Sequence, residues 1–253
     1  METLVTPGSN AEIQLLPDLE AISYKAAEIF LNLSQSSLPS KERLAVALSG
    51  GSTPRRFYRL LGSDPYRNQV EWHRIHFFWV DERCVPKEYE ESNFKTVYDP
   101  LLSRVPVPEE NIHRIRGEEG PEEAAREYDD AIKAFFGGTE IPVFDLIILG
   151  MGEDGHTASL FPGSEALREK KRLAVPVYKG GQEIHRVTLT FPVLNNASQV
   201  LFLVSGRSKS KVLAEIFEGG DNRNRYPAGL VAPAHGKITW LIDREAAEKL
   251  REI

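Results

Sequence analysis

Short apolar runs alternate with amphipathic stretches along this chain. Residues 143–149 form a near-continuous apolar run that only Asp145 interrupts. Such runs are typical of strands buried on both faces, which is the usual condition in a parallel sheet. The pattern predicts further strands over residues 12–16 (a short edge strand), 44–48, 74–80, 173–177, 186–191, 200–204 and 238–242.

Helical periodicity fills most of the intervals between these strands. Apolar residues three and four positions apart predict a helix over residues 19–33, which Asp18 would cap, and another over residues 122–136. Pro54 and Ser92 mark the starts of two further helices. Strands that alternate with helices predict an α/β domain with a mainly parallel sheet covered on both faces. Shorter helices are predicted over residues 164–170, from residue 209 to about 217, and over residues 244–251.

A single domain is expected for most of the chain. The 253 residues are 41% hydrophobic and 27% charged, as in an ordinary soluble globular protein. No repeat, low-complexity tract or linker divides them, so we predict one domain over residues 11–253 behind a flexible tail at residues 1–10. The tail lacks the layout of a secretion signal, and no apolar run reaches the ~18 residues of a membrane span.

Charge and cysteine content restrict the partners and the compartment. The formal net charge of −6 argues against a nucleic-acid or membrane partner, and an anionic ligand would need a local basic pocket. Cys84 is the only cysteine, which excludes an intrachain disulfide and is typical of a reducing compartment. We therefore expect a cytoplasmic protein that is a monomer or a weak homodimer.

Polar and charged residues directly follow four of the predicted strands. In open α/β sheets, ligands bind where the carboxyl ends of strands lead into loops, so these loops should meet along one edge of the sheet. They supply hydroxyl and backbone N–H groups, acids, one histidine and several cations. That set suits an anionic, polyhydroxylated small molecule such as a sugar phosphate. The four loops are residues 49–53, 81–83, 154–156 and 206–209.

The first of these loops has two interpretations. It stands between a strand and a helix whose first turn offers free N–H groups, which is the layout of a phosphate-binding loop. The same residue types also form ordinary turns, and the pattern alone fits both interpretations equally well. The candidate ligands are Ser49, Gly50, Gly51, Ser52 and Thr53.

Three glycines within residues 150–155 formally match a dinucleotide-binding fingerprint. We reject that interpretation because the carboxylates of Glu153 and Asp154 would repel a pyrophosphate. His156 lies beside these acids, in a loop that follows the most buried strand. Its position favours a functional histidine, which gains and loses a proton near neutral pH, over one that only packs.

Other reaction classes fit poorly. The chain lacks the Gly-x-Ser-x-Gly motif of α/β-hydrolases, the Walker lysine motif and the zinc-binding His-Glu-x-x-His motif. His73 and His76 flank or lie in a strand and should point to opposite faces, so we expect no metal site. A packing or surface role is expected for both, as it is for His113, His185 and His235.

Three segments resemble motifs of the 6-phosphogluconolactonase family, which belongs with the glucosamine-6-phosphate isomerases. Residues 47–54 resemble its phosphate loop, residues 79–86 followed by Ser92 and Asn93 resemble its second motif, and residues 150–163 resemble its third. The resemblance covers most of the chain. It implies an αβα sandwich with a Rossmann-like sheet, and cofactor-independent hydrolysis of 6-phospho-D-glucono-1,5-lactone in the pentose phosphate pathway.

The resemblance also implies roles for the candidate residues. His156 would act as general base, with Asp154 or Asp81 orienting its imidazole, and backbone N–H groups of the loop from Gly150 to Gly155 would receive the oxyanion. Lys209 would join residues 49–53 around the phosphate, with Arg207 or Lys211 as alternatives to it. The remaining implied ligands are Arg186 at the phosphate, Arg83, which would hold the sugar acid end or pair with Asp81, and Asn93.

Two alternatives come from different classes of protein. Glucosamine-6-phosphate deaminases also carry an Asp-Gly-His loop, but a glutamate follows five residues after the histidine, where this chain has Phe161. Their pattern has a tyrosine at the position of Arg83, so both departures favour the lactonase. A sugar-phosphate-binding regulator without catalysis is the other alternative, and the intact sequence from Asp154 to His156 argues against it.

Overall fold

The computed structural model describes residues 2–5, 11–178 and 184–251. In these residues the strands are β1 (Glu2–Val5), β2 (Ala11–Leu16), β3 (Leu44–Leu48), β4 (Ile75–Trp79), β5 (Asp81–Arg83), β6 (Ile112–His113), β7 (Leu146–Leu149), β8 (Ala174–Val177), β9 (Arg186–Leu189), β10 (Gln199–Val204) and β11 (Lys237–Asp243). The α-helices are α1 (Leu19–Ser37), α2 (Ser52–Leu61), α3 (Asn93–Tyr98), α4 (Pro121–Phe135), α5 (Phe191–Leu194), α6 (Ser210–Glu218) and α7 (Pro227–Leu230).

The main sheet has the strand order β1-β2-β11-β10-β7-β3-β4-β6. The strands from β2 to β6 in that order are mutually parallel, and β1 runs antiparallel to β2. The chain winds from β3 through β4 to β6 on one side, and from β7 through β10 to β11 on the other. Helices flank this sheet, which confirms the predicted three-layer α/β fold with a mainly parallel sheet.

The structure differs from the predicted tail at the amino-terminal end. Residues Glu2–Val5 form β1, which pairs with β2 along Glu2↔Leu15 to Val5↔Glu12. The prediction was wrong there because it considered only sequence layout, whereas the open edge of β2 offers backbone groups for pairing. Because β1 pairs with β2, β2 is not the edge strand that the sequence predicted. The rest of the predicted tail, residues 1 and 6–10, lies outside the described residues.

A second, antiparallel sheet has the strand order β5-β9-β8. The sequence predicted β8 and β9 as strands but placed residues 81–83 in a loop. In the structure these residues pair with β9, with Asp81 opposite Thr188 and Arg83 opposite Arg186. The sequence also predicts a turn at residues 179–182, between β8 and β9, and these residues lie outside the described part of the chain.

Of two helices predicted in the second half of the chain, one is replaced by a short 3-10 helix and the other is absent. Residues 164–170 contain only the 3-10 helix Glu165–Arg168, and Ser164 makes no side-chain capping bond to it. Residues 244–249 form turns rather than a helix. The Asp243 carboxylate accepts a hydrogen bond from the Ala246 N–H, as at a helix start, and another from the Gly206 N–H in the loop after β10, but no helix continues from it.

The core is built on strands that are buried along their whole length. All residues of β3 and β7 are buried, and Trp240 of β11 stacks on Phe202 of β10 at a centroid distance of 3.8 Å. Asp145 is the polar exception in the central apolar run. Its carboxylate accepts a hydrogen bond from the Ala45 N–H at 2.8 Å and forms an ion pair with Lys41. These partners make a buried carboxylate tolerable at the start of β7.

Candidate active site

Loops from the carboxyl ends of neighbouring strands line one cavity of about 380 Å³. This arrangement confirms that the four polar loops meet along one edge of the sheet. The lining includes Arg186 of β9, which joins the second sheet to the site. The lining residues are Ser49, Gly50, Gly51, Ser52, Thr53, Pro54, Asp81, Arg83, Asn93, Gly150, Met151, Gly152, Glu153, His156, Ala158, Arg186, Ser205, Ser208 and Lys209.

The loop between β3 and α2 presents its backbone to this cavity. Gly51 has a φ of 97°, a left-handed conformation that favours glycine, and α2 begins at the next residue. At Gly50, an added Cβ would lie 1.8 Å from Oδ1 of Asn93, so a side chain does not fit. Within the described residues, the buried hydroxyl of Ser49 has no hydrogen-bond partner. The loop therefore combines helix-start N–H groups with an unpaired hydroxyl, which suits an anion.

Asn93 connects three of the site residues. Its side-chain amide donates to the Asp81 backbone oxygen at 2.9 Å and to the Asp81 carboxylate at 3.1 Å. Its Oδ1 accepts a hydrogen bond from Nη1 of Arg83 at 2.6 Å. Because Asn93 also lies against Gly50, it sets the spacing between the phosphate-type loop and β5.

Glu82 points away from the cavity, unlike its two neighbours. Successive side chains of a strand alternate between faces, so Asp81 and Arg83 line the cavity while Glu82 is buried beneath it. Its oxygens accept hydrogen bonds from the N–H groups of Asn93 at 2.6 Å and Phe94 at 2.7 Å, the first two residues of α3. The three charged residues 81–83 are thus divided between the site and the start of α3.

Asp81 is held by residues other than the histidine. Oδ2 of its carboxylate accepts a hydrogen bond from Oγ of Ser159 at 2.6 Å, in addition to the Asn93 contact. Ser159 was not among the predicted site residues, and its place inside the third family motif was the only signal for it. Its own N–H donates to the hydroxyl of Thr188 at 3.1 Å. These contacts fix Asp81 between the histidine loop and the second sheet.

Asp154 is the acid that contacts His156. Nδ1 of the imidazole lies 2.5 Å from Oδ1 of Asp154, and the His156 N–H donates to the same oxygen at 3.2 Å. Burial by itself raises the pKa of Asp154, but the hydrogen bond and charge of His156 outweigh it, so the pKa lies below its ordinary value. A carboxylate can only accept, so Nδ1 carries the proton of this hydrogen bond, and in the neutral tautomer the lone pair is then on Nε2.

The glycines of the histidine loop bring its backbone close to the ring. An added Cβ at Gly152 would lie 2.1 Å from Nδ1 of His156. The ring also packs against Phe161 at a centroid distance of 4.6 Å, and the histidine side chain remains 28% exposed. His156 is therefore oriented on three sides but still accessible to a molecule in the cavity.

Gly155 differs from its predicted role. Its N–H donates to the Gly152 oxygen at 3.1 Å, and the Gly152 N–H donates to the His156 oxygen at 2.9 Å. These two N–H groups close the turn of the loop, so an oxyanion would have to be received by other N–H groups of residues 150–155. Neither Gly155 nor Asp154 lines the cavity, although both adjoin His156.

Two arginines supply positive charge on the β5–β9 pair. Arg83 and Arg186 are directly opposite in the register, and each has a buried Nε without a hydrogen-bond partner among the described residues. Burial lowers the pKa of Arg186, and the adjacent charge of Arg83 lowers it further. Two cations forced together with open N–H groups are typical of a site for an anion.

The sequence left open which of three cations would bind the phosphate, and the structure places them in different surroundings. Lys209 lines the cavity, and its Nζ is 3.8 Å from the exposed carboxylate of Glu153. Arg207 is exposed and forms an ion pair with Glu248, and Lys211 lines a different cavity. Only Lys209 of the three reaches the site within the described residues.

The described residues contain no group of three or more His, Cys, Asp or Glu side chains that is placed to hold a metal ion. Among these residues, no helix is both long and apolar enough to cross a membrane.

Residues 17–240 match the family model described as glucosamine-6-phosphate isomerases/6-phosphogluconolactonase. The chain belongs to this family. A 6-phosphogluconolactonase from Synechocystis sp. is 42% identical over 81% of this chain and 84% of its own length. One from Nostoc sp. is 35% identical over 94% and 98%. The crystal structure of the 6-phosphogluconolactonase from Thermotoga maritima is 34% identical, with a TM-score of 0.78 over 92% of this chain and all of that one.

Membership in the family agrees with the motifs at the cavity. All three motif segments contribute residues to its lining, at the ends of β3, β4 and β7. Phe161, which stands where the deaminase pattern has glutamate, packs its ring against His156. The histidine of this family member therefore has a single carboxylate partner, Asp154, among the described residues.

Proposed function

We propose that this chain hydrolyses 6-phospho-D-glucono-1,5-lactone to 6-phospho-D-gluconate. The observation that carries the proposal is His156 on the wall of a cavity lined by cations and hydroxyl groups, with Asp154 paired to its imidazole from outside the lining. The relatives from Synechocystis sp., Nostoc sp. and Thermotoga maritima, which are all named 6-phosphogluconolactonases, support the same substrate. No cofactor is required, because a lactone is an activated ester.

His156 acts as the general base in this proposal. Its Nε2 takes a proton from a water molecule as the water oxygen attacks the ring carbonyl carbon C1. The tetrahedral intermediate then breaks the bond between C1 and the ring oxygen, and the imidazolium returns the proton to that oxygen as it leaves as the C5 hydroxyl. The Asp154 carboxylate holds the required tautomer and stabilises the imidazolium while it exists.

The anion site binds the phosphate. The start of α2 supplies N–H groups, the hydroxyl of Ser49 is unpaired, and Lys209 faces the same cavity. Arg83 and Arg186 lie on adjacent strands, so we assign both to one end of the substrate. Asn93 joins Arg83 to Gly50 of the loop, which favours the phosphate end for the arginine pair. Asp81 is left to accept hydrogen bonds from sugar hydroxyls.

Replacement of the histidine tests the function. Because general-base assistance is typically worth about 10²–10⁴-fold, His156→Ala should lower kcat by that amount. Its affinity for 6-phosphogluconate, measured by calorimetry, should change little because the phosphate contacts remain. The exposed His235 provides a control, and His235→Ala should retain full turnover. Near-normal kcat in His156→Ala would remove His156 from the mechanism.

The assay should use freshly generated lactone, with spontaneous hydrolysis subtracted, alongside glucosamine 6-phosphate. Turnover of the lactone alone is the expected result. Release of ammonia from glucosamine 6-phosphate would instead support the deaminase alternative. Tight binding of 6-phosphogluconate without turnover of either compound would indicate a regulator.

We also propose a cytoplasmic location, since a chain whose only cysteine is Cys84 needs no oxidising compartment to fold. Recovery of the activity with a membrane or secreted fraction of the source cells would contradict it.

A further inference from the structure

One segment outside the cavity lining packs against the backbone of the histidine loop. It contains the 3-10 helix Gly220–Arg225 and the short helix α7, and it follows α6. The proposed mechanism makes no use of these residues. The sequence shows only a polar stretch here, so the contact is visible in the structure alone.

Tyr226 makes the contact, directly against Gly155. Gly155 has a φ of 76°, and an added Cβ there would lie 2.4 Å from Cδ1 of the Tyr226 ring. The backbone oxygen of Gly155 accepts a hydrogen bond from the Ala228 N–H at 3.0 Å. The residue that precedes His156 is thus held by a ring and by a backbone bond, both from one short segment.

Tyr226 is itself fixed in place. Its hydroxyl donates a hydrogen bond to the Glu215 carboxylate on α6, and that bond raises the pKa of the tyrosine. Its N–H donates to the Arg223 oxygen at 3.1 Å, and its own oxygen accepts from the Gly229 N–H at 2.8 Å. A side chain held at both ends in this way presents a rigid surface to the glycine loop.

We propose that Tyr226 is a positioning residue for His156. Glycine loses more backbone freedom on ordering than any other residue, so a loop with glycines at 150, 152 and 155 needs external contacts to stay in one conformation. The Tyr226 ring provides such a contact one residue before the imidazole. Misplacement of a catalytic group by about 1 Å can cost on the order of 10²-fold in rate. The inference rests on the proposed role of His156 as the base.

Three variants of Tyr226 separate the ring from the hydroxyl. Tyr226→Ala and Tyr226→Leu remove the flat ring from Gly155, and we expect kcat to fall about 10- to 100-fold. The Michaelis constant for the lactone should change less than about threefold, because none of the phosphate contacts is altered. Tyr226→Phe keeps the ring and loses only the bond to Glu215, so its kcat should stay within about threefold of wild type.

The readout distinguishes positioning from folding. Rates are divided by the concentration of sites that bind 6-phosphogluconate in calorimetry, so partly unfolded protein does not contribute. A purely structural role would lower the melting temperature of all three variants and leave this corrected kcat unchanged. Unchanged corrected kcat in Tyr226→Ala or Tyr226→Leu, or an equal loss in Tyr226→Phe, would overturn the proposal.

His156→Ala in the same assay shows which claim fails. If His156→Ala is inactive while Tyr226→Ala is fully active, only the positioning role is wrong. If His156→Ala keeps normal turnover, the proposed base is wrong whatever the Tyr226 variants do.

Discussion

At the scale of single residues, Glu82 is the most heavily bonded buried carboxylate next to the site. Besides the N–H groups of Asn93 and Phe94, it accepts hydrogen bonds from the Arg83 N–H at 2.7 Å and the Ser92 hydroxyl at 3.0 Å. Burial disfavours its charged form and raises its pKa from 4.5 to about 7, although the backbone hydrogen bonds lower it.

Glu82 should make stability depend on pH in a defined direction. A folded-state pKa above the unfolded value means that the folded protein binds the proton more tightly. The contribution to the free energy of unfolding is then complete below about pH 4.5 and is lost as the pH rises through about 7, with a size of up to about 3 kcal/mol.

Urea unfolding of wild type and Glu82→Gln at pH 4.5, 6 and 7.5 checks this prediction. The variant does not titrate at this position, so its stability relative to wild type should increase with pH by up to about 3 kcal/mol. Glu91→Gln, at an exposed carboxyl in the loop before α3, should keep the wild-type pH dependence. Parallel curves for wild type and Glu82→Gln would show that burial does not raise the pKa of Glu82.

Local spacing was enough to predict some of these residues. His156 and Asp154 lie two positions apart in one glycine loop, so their contact could be expected from the local sequence alone. The orientation of Glu82 and the contact of Ser159 with Asp81 could not be predicted in this way. Both depend on the pairing of residues 81–83 with β9, which is more than a hundred residues away along the chain.

At the scale of elements, the short edge strand β6 and its neighbour β4 each contribute one histidine to a contacting pair. Nδ1 of His76 on β4 lies 3.0 Å from Nε2 of His113 on β6, and His113 stacks on Phe78 at a centroid distance of 4.4 Å. Burial lowers the pKa of both histidines, that of His113 to about 4, and the nearby Arg43 charge acts in the same direction. The packing role predicted for these histidines agrees with these contacts.

This pair should destabilise the protein in acid. A folded-state pKa below the unfolded value means that the unfolded chain binds the proton more tightly. The stability from the neutral pair is present above about pH 6.5 and is lost as the pH falls towards about 4, which is opposite to the effect of Glu82. Both rings are partly exposed, so the effect should be smaller than the pKa change alone would imply.

Thermal unfolding of His113→Phe between pH 4 and 7.5 provides the measurement. The variant keeps an aromatic ring against Phe78 but does not gain a proton, so its melting temperature should fall less in acid than that of wild type. His235→Gln, at an exposed histidine, is the control and should follow wild type. An equally steep acid loss in His113→Phe would contradict the prediction.

Buried apolar strands were predicted from the sequence, whereas short polar strands were not. The strands β3, β7 and β10 are apolar over most of their length, and their runs were visible in the sequence for that reason. The strands β5 and β6 have three and two residues and carry polar side chains, so no periodicity marks them. The last predicted helix is replaced by turns over residues 244–249, although Asp243 accepts the hydrogen bond from the Ala246 N–H that is typical of a helix start.

At the scale of the whole molecule, the site lies where the winding of the sheet reverses. The chain proceeds outward from β3 on one side and outward from β7 on the other, and these two strands are neighbours. The loops that follow them therefore diverge and leave a crevice at the carboxyl edge, which is the usual ligand site of an open α/β sheet. The sequence predicted that the loops converge, but the strand order that creates the crevice was not contained in any local pattern.

A ligand in this crevice would contact loops from both halves of the sheet. Substitution of Lys209 tests that arrangement. Lys209 follows β10 and faces the cavity, and its 3.8 Å ion pair with the exposed Glu153 is worth little in water. A hydrogen bond to a charged group contributes about 1.5–3 kcal/mol, so Lys209→Met should weaken binding of 6-phosphogluconate about 10- to 100-fold.

Lys211 provides a matched control two residues further along the chain. It lines a different cavity, between α6 and the carboxyl-terminal turns, so Lys211→Met should bind 6-phosphogluconate as wild type does. Calorimetric titration of both variants gives the comparison, and the rise in melting temperature at saturating product gives it independently. A loss confined to Lys211→Met, or equal in both variants, would place the phosphate outside the crevice, and the ligand would then not join the two halves of the sheet.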